Sequence, residues 1–175
     1  MGTDKALLPY NGVPLASHIA ALLAPAVDQV YLVGGDPNRY RHLGYEIIAD
    51  ERPGHGPVAG IVSALRSTKS TWNVVTACDL PGVRTDIFET MLRRIRSAGI
   101  QCLVPVTPDG KEQVLCAVYR KDAVAVLSAA LERGEAALRT AVRHLNTEFW
   151  TVESAGWSAN VNTPEDWASY SRQEA

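Results

Sequence analysis

The sequence predicts an α/β fold built on one parallel-rich sheet, and three observations predict it. Short apolar runs, at residues 28–35, 45–49, 73–78, 102–106 and 114–119, alternate with longer stretches of helical periodicity, as in a sheet flanked by helices. The run NVVTACDLP, residues 73–81, carries Val74, Val75, Ala77 and Cys78 on both side-chain parities, which suits a strand buried on both faces. Apolar runs also end abruptly, at Gly34, Asp50 and Asp79. Ligands of open α/β sheets sit outside the carboxyl ends of the strands, where a carboxylate can hold a divalent metal against a phosphate. Asp79 has a second reading, as the cap of the turn Leu80-Pro81-Gly82.

Each element follows in order. Asn11-Gly12 is a turn signal, and Pro14 suits the first position of a helix whose Leu15, Ile19, Leu22 and Leu23 share one face. Asp28 to Gly35 reads as a strand emptying into a glycine turn, and Tyr45 to Ala49 as a second strand ending at Asp50. Gly54 to Gly60, GHGPVAG, opens a helix with Val58, Ile61, Val62 and Leu65 on one face. Glycines ahead of a helix start let the backbone approach a ligand, and the free amides there favour electronegative groups. The other reading is a flexible connection with a packing glycine; the position between two acid-terminated strands favours a ligand. His55, between glycines, reads as solvent-facing.

Beyond the central strand, Asp86 to Ala98 is a helix with Asp86 as N-cap, Glu89 three residues on and Gly99 past its end. Cys102 to Val106 and Val114 to Tyr119 are strands separated by the turn Pro108-Asp109-Gly110, and helices follow near Val124–Leu131 and Glu135–Leu145. In the tail, Asn160 and Asn162 precede a helix start formed by Thr163, Pro164 and Asp166, with Trp167 and Tyr170 to pack. They either brace that turn or face a ligand.

The whole chain, 175 residues, is expected to be one domain. Hydrophobic residues make up 46% and charged ones 21%, the composition of a soluble globular protein. A net charge of -2 points neither to a nucleic-acid backbone nor to an anionic membrane, so phosphate contacts are expected to be local. Cys78, Cys102 and Cys116 sit in apolar runs and read as core residues of a reducing compartment. The apolar stretch from Ile19 to Val27 contains Pro25 and is too short to span a bilayer, and Met1 to Lys5 does not read as a signal peptide. A cytoplasmic location is expected.

Six segments, in order, carry a resemblance: GTDKALL (residues 2–8), NGVPL (11–15), the strand ending at Asp50, GPVAGI (56–61), TACDLP (76–81) and NVNTPED (160–166). Together they resemble the molybdenum cofactor guanylyltransferase family. GPVAGI and NVNTPED are the more specific; DK and CDLP occur across many nucleotidyltransferases. The resemblance implies a three-layer αβα, Rossmann-like, mostly parallel sheet of the nucleotide-diphospho-sugar transferase type. It implies transfer of GMP from GTP onto the phosphate of molybdopterin bearing molybdenum, with Mg2+ and release of pyrophosphate. Asp79 would hold the magnesium, Lys5 the GTP phosphates, Asp50 the nucleotide, Gly56 and Gly60 the base pocket, and Asn160 and Asn162 the pterin. GTP and molybdopterin would be the ligands, with molybdoenzymes or other cofactor-biosynthesis proteins as partners.

Two departures qualify this. The family pattern has an initial strand and an LAGG…RMG loop ahead of GTDK, and this chain begins at the Met of that RMG. The expectation is therefore a shortened form of a longer transferase, in which residues 30–33 and 74–77 flank an unfilled strand position. Val33, where some relatives carry a polar nucleotide contact, cannot supply one through its side chain. The alternatives are a cytidylyltransferase or sugar-phosphate nucleotidyltransferase of the same fold, and a non-catalytic nucleotide- or pterin-binding relative.

Overall fold

A computed structural model describes residues 4–95, 99–154 and 156–158. After a 3-10 turn at Lys5–Leu7, a hairpin joins β1 (Pro9–Tyr10) to β2 (Val13–Pro14) through Asn11 and Gly12, at φ 48° and 82°. Positive φ at both central positions is what a tight two-residue hairpin requires. Pro14 pairs with Pro9, so it stands just outside α1 (Leu15–Leu23) as its N-cap rather than inside the helix as expected. Next come β3 (Tyr31–Val33), the short α2 (Pro37–Tyr40), β4 (Glu46–Ile48), α3 (Gly56–Ser67), β5 (Trp72–Thr76) and α4 (Thr85–Arg94). The described chain continues with β6 (Cys102–Val106), β7 (Cys116–Arg120), α5 (Ala123–Glu132), α6 (Leu138–Val142) and β8 (Thr147–Thr151).

The strands form three groups where the sequence suggested one. They are the β1–β2 hairpin, a parallel β3–β4 pair, and a four-stranded sheet in the order β5-β7-β6-β8. Within the four, β7 runs antiparallel to β5 and β6 while β6 and β8 are parallel, so β5, β6 and β8 point one way and β7 alone opposes them. The mixed α/β class with a mostly parallel central sheet stands. β5 is half-buried along its whole length rather than buried on both faces, because it is an edge strand of its ladder, paired to β7.

Side-chain alternation on β6 and β7 separates two apolar clusters. Cys102, Val104, Ala117 and Tyr119 face one way and pack with Val58, Ile61, Val62 and Leu65 of α3, Leu127 of α5 and Val142 of α6. Leu103, Cys116 and Val118 face the other way and pack with Leu15, Ile19 and Leu23 of α1 and with Phe88 and Met91 of α4. Helices on both faces of one sheet make the three-layer αβα arrangement, and each large side chain buried this way contributes roughly 1.5–3 kcal/mol.

Three boundaries differ from expectation. α4 is capped at Arg84; Asp86 instead accepts from the Arg84 guanidinium, one bond running from Nε at 3.0 Å. α6 is five residues, shorter than the periodic stretch suggested. β8, unforeseen in the sequence, adds an edge strand beside β6. Among the described residues no helix is long and apolar enough to cross a membrane.

Candidate active site

β3, β4 and β5 each run out into a loop, and these loops carry two of the expected site residues, Asp50 after β4 and Asp79 after β5. β5 stops at Thr76; Ala77 donates its N–H to Leu115 O at 2.8 Å, and Cys78 and Asp79 form the turn beyond. The next turn, Leu80 to Val83, closes through Val83 N–H to Leu80 O at 3.1 Å, with Leu80 buried beneath it. Asp79 pairs with Lys5 instead, Nζ to Oδ2 at 3.9 Å, with side chains 31% and 22% exposed.

Lys5 is presented by the 3-10 turn it opens. Asp4 caps this turn, its Oδ1 accepting from Ala6 N–H at 3.1 Å. The other oxygen, Oδ2, is taken by two residues the sequence reading passed over: Tyr40 Oη donates to it, and Arg39 Nε lies 3.2 Å away. Both come from α2, which starts where Gly34 and Gly35 leave β3 with positive φ. Asp36 caps α2, accepting from Asn38 N–H at 2.9 Å, and Pro37 takes the first helical position. A side chain at Gly35 would put its Cβ 2.3 Å from the Tyr40 ring, so the glycine lets that ring lie against the backbone. Burial, then the bond to Asp4, pushes the Tyr40 phenol up to about 12. A signal the reading could have used for α2 is Asp36-Pro37 behind the glycine pair, a capped helix start at a strand end.

Asp50 follows β4 and turns its Oδ1 back to Arg52 N–H at 2.9 Å, bracing the loop into α3. Gly56 and Gly60 stand on α3 for different reasons. Gly56 has φ 73°, and a Cβ there would meet Ala136 O at 2.9 Å, so packing and backbone account for this glycine. A Cβ at Gly60 would meet only Val33 Cγ1 at 3.7 Å, ordinary contact, so no intramolecular clash requires glycine there. It does place Gly60 beside Val33, which is 43% exposed at the end of β3. His55 is exposed, as expected. Asn160 and Asn162 lie outside the described residues.

Burial, reinforced by the Asp79 carboxylate, raises the Cys78 thiol, which keeps it protonated and unsuited to nucleophilic attack. Cys102 and Cys116 are buried core thiols, as the sequence suggested. A lysine and a carboxylate paired beyond the strand ends of a three-layer αβα domain suit the handling of a polyphosphate by positioning and charge, without a covalent enzyme intermediate. This is the arrangement of an α/β nucleotidyltransferase.

The comparisons with known proteins agree. Residues 1–149 match the family model described as "MobA-like NTP transferase domain". A Deinococcus radiodurans protein named "Probable molybdenum cofactor guanylyltransferase" is 34% identical over 170 residues, covering 97% of this chain and 86% of that protein. The molybdenum cofactor guanylyltransferase of Cupriavidus taiwanensis is 32% identical over 174 residues, covering 94% and 86%. Among solved structures, molybdopterin-guanine dinucleotide biosynthesis protein A from Archaeoglobus fulgidus superposes with a TM-score of 0.81 at 26% identity, over 98% of this chain and 91% of that one. The chain belongs to the MobA-like NTP transferase domain family.

Proposed function

We propose that this chain transfers GMP from GTP to molybdopterin bearing molybdenum, forming the guanine dinucleotide cofactor. A terminal phosphate oxygen of the pterin attacks the α-phosphorus of GTP; the new P–O bond forms as the bond to the bridging oxygen breaks, and pyrophosphate leaves. Both reactants are anions, so the site must neutralise charge and hold them in line. Lys5 supplies a positive point charge for the polyphosphate. Its pairing with Asp79 at 3.9 Å is the observation that carries the reading, because it puts cation and carboxylate together at the strand ends.

Asp79 is the residue that would hold a divalent cation. No group of three or more His, Cys, Asp and Glu side chains suited to a metal occurs among the described residues. The single Asp79 carboxylate suits Mg2+, which takes one or two carboxylates and completes its shell with phosphate oxygens and water. When bound, the ion neutralises charge on the transferring phosphate. Asp50, half-exposed with its second oxygen beyond the Arg52 bond, serves guanine or ribose donors. Gly60 and Val33 border the base, where a missing side chain lets the helix backbone approach, and Gly56 shapes the same loop. Asn160 and Asn162 serve the pterin. The ligands are thus GTP and molybdopterin, without nucleic acid or membrane, in the cytoplasm.

Isothermal titration of GTP and CTP, each with Mg2+, tests the reading. GTP should bind in preference to CTP, and Asp79→Asn should weaken GTP binding and abolish GMP transfer. Preference for CTP, or no nucleotide binding at all, would overturn it.

A further inference from the structure

We infer that Arg39 and Tyr40 are positioning residues for the nucleotide phosphates, acting through Asp4 on Lys5. The inference rests on the guanylyltransferase reading of the site. Its starting point is a conflict of charge: Asp4 stands immediately before the lysine that must attract a polyphosphate, and a bare carboxylate there would repel it. The side chain cannot be dispensed with, because its Oδ1 caps the 3-10 turn that presents Lys5.

Both neighbours answer that conflict on the same oxygen. Arg39 Nε at 3.2 Å compensates the charge of Asp4, and Tyr40 Oη fixes its orientation with a hydrogen bond. Asp4 is 15% exposed, so this pairing is shielded from solvent far better than an ordinary surface pair, whereas Arg39 is 54% exposed. Tyr40 is in turn held by its ring on Gly35, which no larger residue could replace without displacing it. The chain thus joins the end of β3 to the Lys5 turn, and Lys5 to Asp79 at the end of β5. A brace of this kind matters for binding because a floppy four-carbon amine loses entropy on meeting a phosphate, and a fixed turn lowers that loss.

The test measures GTP affinity with Mg2+ by isothermal titration for Tyr40→Phe and Arg39→Gln, each made in the wild-type chain and in a Lys5→Met background. Tyr40→Phe keeps the ring on Gly35 and removes only the donor. Each single variant should weaken GTP about tenfold, the size of one hydrogen bond to a charged group. In the Lys5→Met background Tyr40→Phe should cost less than about twofold, because the residue through which it acts is gone, whereas Arg39→Gln keeps the part of its loss that comes from the bared Asp4 charge. Arg39→Lys should recover part of the loss by restoring the charge without the planar donor. Equal losses for Tyr40→Phe in both backgrounds would mean general structural support and overturn the inference. So would unchanged affinity in the single variants while the wild-type chain binds GTP. A wild-type chain that takes no GTP would instead overturn the reading of the site, and this inference with it.

Discussion

Tyr40 carries a pH signature of its burial and of its bond to Asp4. An exposed phenol ionises near 10, whereas burial and the neighbouring carboxylate push this one up to about 12. Between those values the folded chain keeps a proton that the unfolded chain has lost. The stability this contributes is therefore complete below about pH 10 and disappears as pH rises from there through about 12. A difference titration of phenolate absorbance, wild type minus Tyr40→Phe, should show one tyrosine ionising near 12; a midpoint near 10 would mean that neither the burial of the phenol nor its bond to Asp4 holds in solution. Lys5 and Asp79 make a complementary prediction at the same scale. Lys5→Met should weaken GTP by about 10- to 100-fold, the loss of a charge-assisted phosphate contact. Asp79→Asn should reduce the GMP transfer rate by about 10²-fold or more, and raised Mg2+ should recover it only in part. Initial rates across a Mg2+ series would check both the loss and its partial recovery.

The two glycines of helix α3 make different predictions. Gly56→Ala would place a Cβ 2.9 Å from Ala136 O at a φ of 73°, and should cost about 1–2 kcal/mol in thermal or urea unfolding. Gly60→Ala has room, with Val33 Cγ1 at 3.7 Å, and lies inside a helix, where alanine is favoured by about 0.5–1 kcal/mol. It should therefore stabilise the fold while weakening GTP, if the open side of Gly60 is where the base approaches. A variant that is more stable and binds GTP as well as wild type would remove Gly60 from the nucleotide site. The same helix shows what was legible in the sequence: its start came from the run Gly54 to Gly60, and its buried Val58, Ile61, Val62 and Leu65 from a 3.6-residue period over twelve residues. Shorter or less apolar elements gave no such signal. α2 is four residues long, and β8 reads Thr147-Glu148-Phe149-Trp150-Thr151, a mixed edge strand without an apolar run. Arg39 and Tyr40 escaped notice for a related reason, since Tyr40 meets Asp4 36 positions away in the chain. Lys5 and Asp79 were legible through the segments DK and CDLP, whereas the bonds that hold Lys5 in place appear only in three dimensions.

At the scale of the molecule, residue types announced the class of the fold but not the direction of β7. Cys116 to Tyr119 is buried whichever way the strand runs, so periodicity and burial are blind to its being antiparallel to β5 and β6. That direction has a consequence for the site. Because β7 runs back alongside β5, Leu115 O receives Ala77 N–H at 2.8 Å and fixes the chain just before the Cys78-Asp79 turn. Asp79 is thus held from one side by the sheet and reached from the other by Lys5, with the two apolar clusters supporting the layers on either face. A ligand that bridges these parts should stabilise the whole domain. One that binds only the folded state adds about 2.7 kcal/mol at a hundred times its Kd, and each kcal/mol moves the midpoint of a domain this size by about 2–4 °C. GTP with Mg2+ at that saturation should accordingly raise Tm by about 5–10 °C. Phe88→Ala, at the centre of the α1–α4 layer and fully buried, should lower Tm strongly through a loss of about 3–5 kcal/mol. It should nevertheless keep most of the GTP-induced shift, since Phe88 lies in the buried cluster between α1, α4 and the sheet rather than in the loops beyond the strand ends. Scanning calorimetry of the two variants Phe88→Ala and Asp79→Asn, with and without GTP and Mg2+, separates the roles. The first should start low and still respond to ligand, and the second should start near wild type and respond little. The reverse pattern would place the ligand against the α1–α4 layer instead of at the strand ends.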